Sequence, residues 1–102
     1  MSKMNEIFGT DQPPGTLAKD VPIKNELGLH ARAAAKIAEI AQNANSKVEI
    51  IRDDEEADAT SVIDMLTLAC AKGSNITVKI DSQSDIEILN RIVTLVESGF
   101  GE

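Results

Sequence analysis

Ile76, Val78 and Ile80 alternate with Thr77 and Lys79, the period of two that gives a strand one apolar face. Val48 and Ile50 repeat this alternation within residues 47–52, with a further apolar residue at Ile51. Leu17, Val21 and Ile23 mark another strand over residues 17–23; Pro22 cannot donate to a ladder and assigns it to a sheet edge. Residues 57–60 read as a short returning strand after the acidic turn Asp53, Asp54, Glu55 and Glu56. Elsewhere the period changes. Ala34, Ile37, Ala38 and Ala41 recur at helical spacing and predict a helix from Ala31 to about Gln42. Ser61 followed by Asp64 resembles a capping box and opens a second helix to about Leu68, with Gly73 as its stop. Ser84 and Glu87 form a second capping box; it opens a helix to about Ser98, with Ile86, Leu89, Val93 and Val96 on one side and Gly99 closing it.

The order is therefore βαββαβα. That order predicts an α+β fold, an open-faced β-sandwich in which a four-stranded, mostly antiparallel sheet carries three helices on one face. Residues 17–102 form this single domain. Residues 1–16 are polar and contain Gly9, Pro13, Pro14 and Gly15, so they read as a flexible arm in which Ile7 and Phe8 are the only sizeable apolar pair.

Composition narrows the function. Hydrophobic residues make up 42% of the 102, but aromatics only 2%, so an aliphatic core is expected. The net charge of −7 and the lack of stacking side chains argue against nucleic acid, and the charge also disfavours anionic membrane surfaces. No apolar run approaches the ~20 residues of a membrane span. The polar N-terminus has no signal-like apolar core, and the chain reads as cytoplasmic. Cys70 stands alone in an apolar setting and reads as a buried thiol. His30 is the sole histidine, so no metal-ligand set is expected, and no cofactor either.

His30 lies in Leu27-Gly28-Leu29-His30-Ala31-Arg32, where a loop turns into the first helix. A helix N-terminus offers free N–H groups and partial positive charge, which favour anions by about 0.3–1 kcal/mol at exposed sites. A neutral imidazole there is a nucleophile for a phosphoryl group, with the Ala31 and Arg32 backbone as cradle and the Arg32 guanidinium gripping two oxygens. Positive charge at a helix start is electrostatically misplaced, which itself points to a task for Arg32. The plain alternative is an ordinary helix-start histidine.

Three separated motifs carry a resemblance: the run from Lys24 to Arg32 around His30, the run Ala59-Thr60-Ser61-Val62-Ile63-Asp64-Met65-Leu66-Thr67-Leu68 with Ala71-Lys72-Gly73 after it, and Ser98-Gly99-Phe100. Over residues 17–102 the chain resembles the HPr family of phosphocarrier proteins of the bacterial phosphotransferase system, and most of all its nitrogen-related branch, NPr. The resemblance implies a protein that accepts a phosphoryl group from phosphorylated enzyme I, charged by phosphoenolpyruvate, and passes it to an EIIA-type protein. It implies that His30 is the phosphorylated residue, reacting through Nδ1, and that Arg32 stabilises the phosphate. It also implies that Ser61 matches a serine modified by a dedicated kinase in some members. Such a carrier is a phosphoryl-transfer intermediate rather than an independent enzyme. Where the family usually has proline after the arginine, this chain has Ala33, which returns an N–H to the first helical turn.

Ser61 has two readings, helix N-cap and regulatory phosphorylation site, and they are compatible. Val62, Ile63 and Leu66 cannot all be buried on a two-turn helix, so part of this set is expected to show and to serve brief docking of partners. An alternative from another class is a regulatory binding protein whose docking is switched at Ser61 or His30; a third is a structural domain with an inert histidine. A monomer satisfies all of these. Sugar uptake and nitrogen or potassium regulation stay open as destinations of the phosphoryl group.

Overall fold

The computed structural model describes residues 17–102; the expected arm, with Ile7 and Phe8, lies outside them. The chain runs β1 (Ala18–Pro22), α1 (Ala31–Ala41), β2 (Val48–Arg52), β3 (Glu55–Asp58), α2 (Val62–Leu66), β4 (Asn75–Ile80) and α3 (Ile86–Glu97), with single 3₁₀ turns at Gln83–Asp85 and Gly99–Gly101. The four strands form one antiparallel sheet in the order β1-β4-β2-β3. Pro22 thus sits on an edge strand, paired with Asn75, where its missing N–H costs no ladder bond.

Register sorts the two faces. Val21 lies opposite Ile76, and Ile50 opposite both Val78 and Ala57. These side chains are buried beneath the helices together with Val48 and Ile80. The other face is polar: Lys79 lies between Ala18 and Glu49, and Thr77 Oγ1 donates to Asp20 Oδ1 across the β1–β4 pair at 2.6 Å. α1 presents Ala33, Ala34, Ile37, Ala38 and Ala41 to the core, so its backbone approaches the layer closely. α3 contributes Ile88, Leu89, Ile92, Val93 and Val96. No helix among the described residues is long and apolar enough to cross a membrane.

Several local expectations change. The turn between β2 and β3 holds only Asp53 and Asp54; Glu55 already pairs with Arg52, so the returning strand starts earlier than residue 57. Asp53 takes the left-handed conformation (φ 55°) that this short loop needs, a region that Asp tolerates better than most residues. α2 stops at Leu66 rather than near Leu68. Thr67 Oγ1 takes the Asp64 carbonyl at 2.6 Å, Ala69 reverses the chain at φ 52°, and Leu68 turns into the core. Gly73 is no helix stop; its N–H pairs with Ile23 O at 2.8 Å and prolongs the β1–β4 ladder.

The start of α3 also differs. Ser82, not Ser84, supplies the cap, accepting from Ser84 N at 3.2 Å. Asp85 occupies the N-cap position, but its buried carboxylate is spent on tertiary contacts, accepting from Asn45 N (2.8 Å) and Ser46 N (3.0 Å) after α1. The core is likewise not purely aliphatic: Phe100 is fully buried and is its largest side chain.

Candidate functional site

Asn25 to Gly28 make a turn closed by Gly28 N to Asn25 O at 3.1 Å. Gly28 has φ +66°, and a Cβ there would lie 2.4 Å from the carbonyl oxygen of Cys70. Only glycine allows that approach. The next amide, Leu29 N, donates to the same carbonyl at 2.8 Å. The loop is therefore pinned to the segment that follows α2, while Arg52 Nη1 holds the Leu68 carbonyl on that segment at 3.0 Å. Leu29 drops into the core and Leu27 stays 71% exposed.

This clamp delivers His30 as the N-cap of α1, in extended conformation. Its carbonyl accepts the first helical bond, from Ala34 N at 2.9 Å. The amides of Ala31, Arg32 and Ala33 precede that bond and have no acceptor within the helix. His30 Nδ1 accepts from Arg32 N at 3.2 Å, a ring nitrogen doing what a serine or aspartate oxygen usually does. No acidic residue occupies the first turn of α1, which leaves its partial positive charge uncompensated. Ala33, at the position of the family proline, is completely buried.

His30 Nε2 meets Glu102 Oε2. Glu102 Oε1 accepts from Asn25 Nδ2 at 3.1 Å, and that nitrogen also donates to Gly28 O at 2.8 Å. The His30 ring N–H holds the Glu102 carboxyl below the ordinary carboxylate value, against partial desolvation, with help from the Asn25 amide and the positive charge of Lys36. Glu102 reaches the ring because Gly99, Phe100 and Gly101 all take positive φ (70°, 61° and 76°) and fold the chain back from α3. Phe100 plugs the core, and Lys36 Nζ binds its carbonyl at 2.6 Å.

The other anticipated residues lie around this centre. Arg32 is exposed, and with Lys36 and Glu39 of α1, Gln42 just after it, and Thr60 and Val62 it lines a shallow groove between α1 and α2. Ser61 caps α2, its Oγ accepting from Asp64 N at 3.2 Å; its own N–H goes to Asp58 O at 3.0 Å, so only half of a capping box forms. Ile63 is 75% exposed and Leu66 38%, whereas Val62 is half-buried against the core. Cys70 is buried, which pushes its thiol pKa up and keeps it protonated. A larger cleft between β1 and α3 contains none of these residues. Asn25, Lys36 and Glu102 were not foreseen. Asn25 stands inside a motif, but nothing local marks Glu102, which lies 72 positions from its partner.

Comparison with known proteins bears on this arrangement. Residues 17–98 match the family model described as "PTS HPr component phosphorylation site". Phosphocarrier protein NPr of Escherichia coli (strain K12) is 42% identical over 89 residues, covering 85% of this chain and 98% of that protein. Phosphocarrier protein HPr of Cupriavidus necator is 37% identical over 86 residues, covering 84% and 97% respectively. Among solved structures, an HPr from Thermoanaerobacter tengcongensis superposes with a TM-score of 0.78 at 29% identity, covering 83% of this chain and 96% of that one. An HPr from Bacillus anthracis gives 0.72 at 28% identity, covering 78% and 95%. Sequence and fold agree over the same region, and the chain belongs to the HPr family of phosphocarrier proteins of the phosphotransferase system.

Proposed function

We propose that His30 carries the phosphoryl group in this protein, accepting it on Nδ1 from phosphorylated enzyme I and giving it to an EIIA-type protein in the cytoplasm. The observation that supports this most is the placement of His30 as the N-cap of α1, its Nδ1 lone pair directed at the Arg32 amide. A neutral Nδ1 is a nucleophile without further help. Once Nδ1 bears phosphorus, the amide that it now occupies is within reach of the phosphoryl oxygens, as is the Ala31 N–H, which has no acceptor among the described residues. The Arg32 side chain starts from the same turn and can supply charge-assisted bonds to those oxygens or to a partner's site. The grip stays modest because the ring is partly solvent-exposed and, among the described residues, no second cation is fixed beside it, as a relay requires.

Partners dock, in this reading, on the exposed side of α2 at Ile63 and Leu66, with Val62 half-buried behind them. The Leu29–Cys70 and Arg52–Leu68 bonds hold the loop and the segment after α2 together beside that face. Small, partly apolar surfaces of this kind suit short-lived encounters with more than one partner. Ser61 adjoins Ile63 and is half-exposed, so phosphorylation by an HPr-type serine kinase would set charge at the docking face without removing the cap oxygen. That geometry supports a regulatory use of the same surface.

The test is to incubate the protein with phosphoenolpyruvate and cognate enzyme I and to look for an acid-labile, alkali-stable phosphate by mass spectrometry. The wild type is expected to gain one phosphoryl group and His30→Ala none. Equal labelling of the variant, or no labelling of the wild type, overturns the reading; ATP-dependent labelling confined to Ser61 replaces it with the regulatory one.

A further inference from the structure

The His30 ring is held at both nitrogens. A carboxylate only accepts, so the contact with Glu102 Oε2 places a proton on Nε2. An amide N–H only donates, so Arg32 N at 3.2 Å requires a lone pair on Nδ1. The two contacts select the same neutral tautomer, and it is the tautomer that can attack phosphorus through Nδ1. They also fix the ring plane from opposite edges.

Glu102 is itself placed before it touches the ring. Asn25 Nδ2 holds its other oxygen at 3.1 Å, and Asn25 is buried. Lys36 Nζ holds the carbonyl of Phe100, two residues earlier, and Phe100 anchors the turn in the core. One chain of contacts thus links Gly28, Asn25, Glu102 and His30. The carboxylate meets the Nε2 edge, away from the position that a group on Nδ1 would take, so it does not compete with the phosphoryl oxygens.

We propose that Glu102 is a positioning residue for phosphoryl transfer, fixing His30 as the Nε2–H tautomer with Nδ1 presented to the donor. This rests on the carrier reading above. As the Nδ1–P bond forms and the bond from phosphorus to the donor breaks, the ring gains positive character while Nε2 keeps its proton. The carboxylate at that N–H stabilises this change by the same logic that a buried aspartate applies to a catalytic histidine. Because both side chains are partly open to solvent, the effect is far smaller than in a buried triad.

The experiment compares wild type, Glu102→Ala and Glu102→Gln by two readouts. The ring ¹⁵N shifts of His30, taken where the imidazole is neutral, report the tautomer. The initial rate of phosphoryl transfer from phosphorylated enzyme I reports function. Wild type is expected to be dominated by Nε2–H, and Glu102→Ala to become a mixture of tautomers. Transfer to Glu102→Ala slows about tenfold, the scale of one lost charge-assisted hydrogen bond to a reacting ring. Glu102→Gln keeps an acceptor oxygen and falls between. An unchanged tautomer in Glu102→Ala overturns the proposal, whatever the rate. So does a mixed tautomer with an unchanged rate. A wild type that never takes the phosphoryl group overturns the carrier reading first, and this role with it. The tautomer result needs no transfer at all, so the two failures are told apart.

Discussion

At the start of α1 the capping atom is a ring nitrogen; at the start of α2 it is a hydroxyl oxygen. Ser61 is self-sufficient. Its Oγ takes the Asp64 amide, Asp64 adds negative charge to the first turn, and α2 needs nothing from outside. α1 is left unfinished. Its first turn has no acid, its cap is a ring nitrogen rather than an oxygen, and a basic residue stands where the dipole favours an acidic one. A helix start that is stable on its own has little to offer an anion, and one that is to receive a phosphoryl group is kept short of negative charge. The cost is met by the Gly28–Cys70 clamp and by Glu102, both supplied by distant parts of the chain.

The clamp is where the contrast breaks most readily. Gly28→Ala forces a Cβ against Cys70 O in a left-handed backbone conformation. It is expected to destabilise the fold by about 2–4 kcal/mol, measured by urea unfolding, and to displace His30 as it does so. Next comes the docking face. Ile63→Glu leaves the melting temperature unchanged, because Ile63 is 75% exposed, but slows phosphoryl transfer about tenfold. Ser61→Ala removes the finished cap and costs about 1 kcal/mol of stability, whereas Ser61→Asp retains a capping oxygen and loses less.

The smallest effect is one of pH. The Glu102 carboxyl is held below its ordinary value by the His30 ring N–H, so its contribution to stability is present above about pH 4.3 and is lost as pH falls through its own lowered value. The difference in melting temperature between wild type and Glu102→Ala should therefore shrink as pH falls below about 4.3. A difference that kept growing below that pH would contradict the contact.

Much of the fold was legible because local pattern and tertiary role coincide. The alternation of Ile76, Val78 and Ile80 is the burial pattern of β4, and the alanine stripe of α1 is its packed face. Pro22 marked an edge because a missing donor has the same consequence in any sheet. Legibility failed where side chains were drafted for distant contacts. Asp85 looks like part of a helix start, yet its carboxylate secures the turn after α1. Leu27 and Leu29 are indistinguishable by pattern; the left-handed turn at Gly28 sends one to solvent and the other to the core. The places of His30 and Ser61 at the starts of α1 and α2 were readable from the motif, since each caps an amide within three residues of its own position. Glu102 was not, because its place over the imidazole depends on three successive positive-φ residues and on Lys36 reaching across from α1.

The most direct measurement is the site of attachment in the phosphorylated protein, read by ³¹P and ¹⁵N NMR after transfer from phosphorylated enzyme I. A single phosphohistidine with the phosphorus on Nδ1 of His30 and a proton retained on Nε2 is the result expected here. Phosphorus on Nε2, or a label found only on Ser61, would contradict the account.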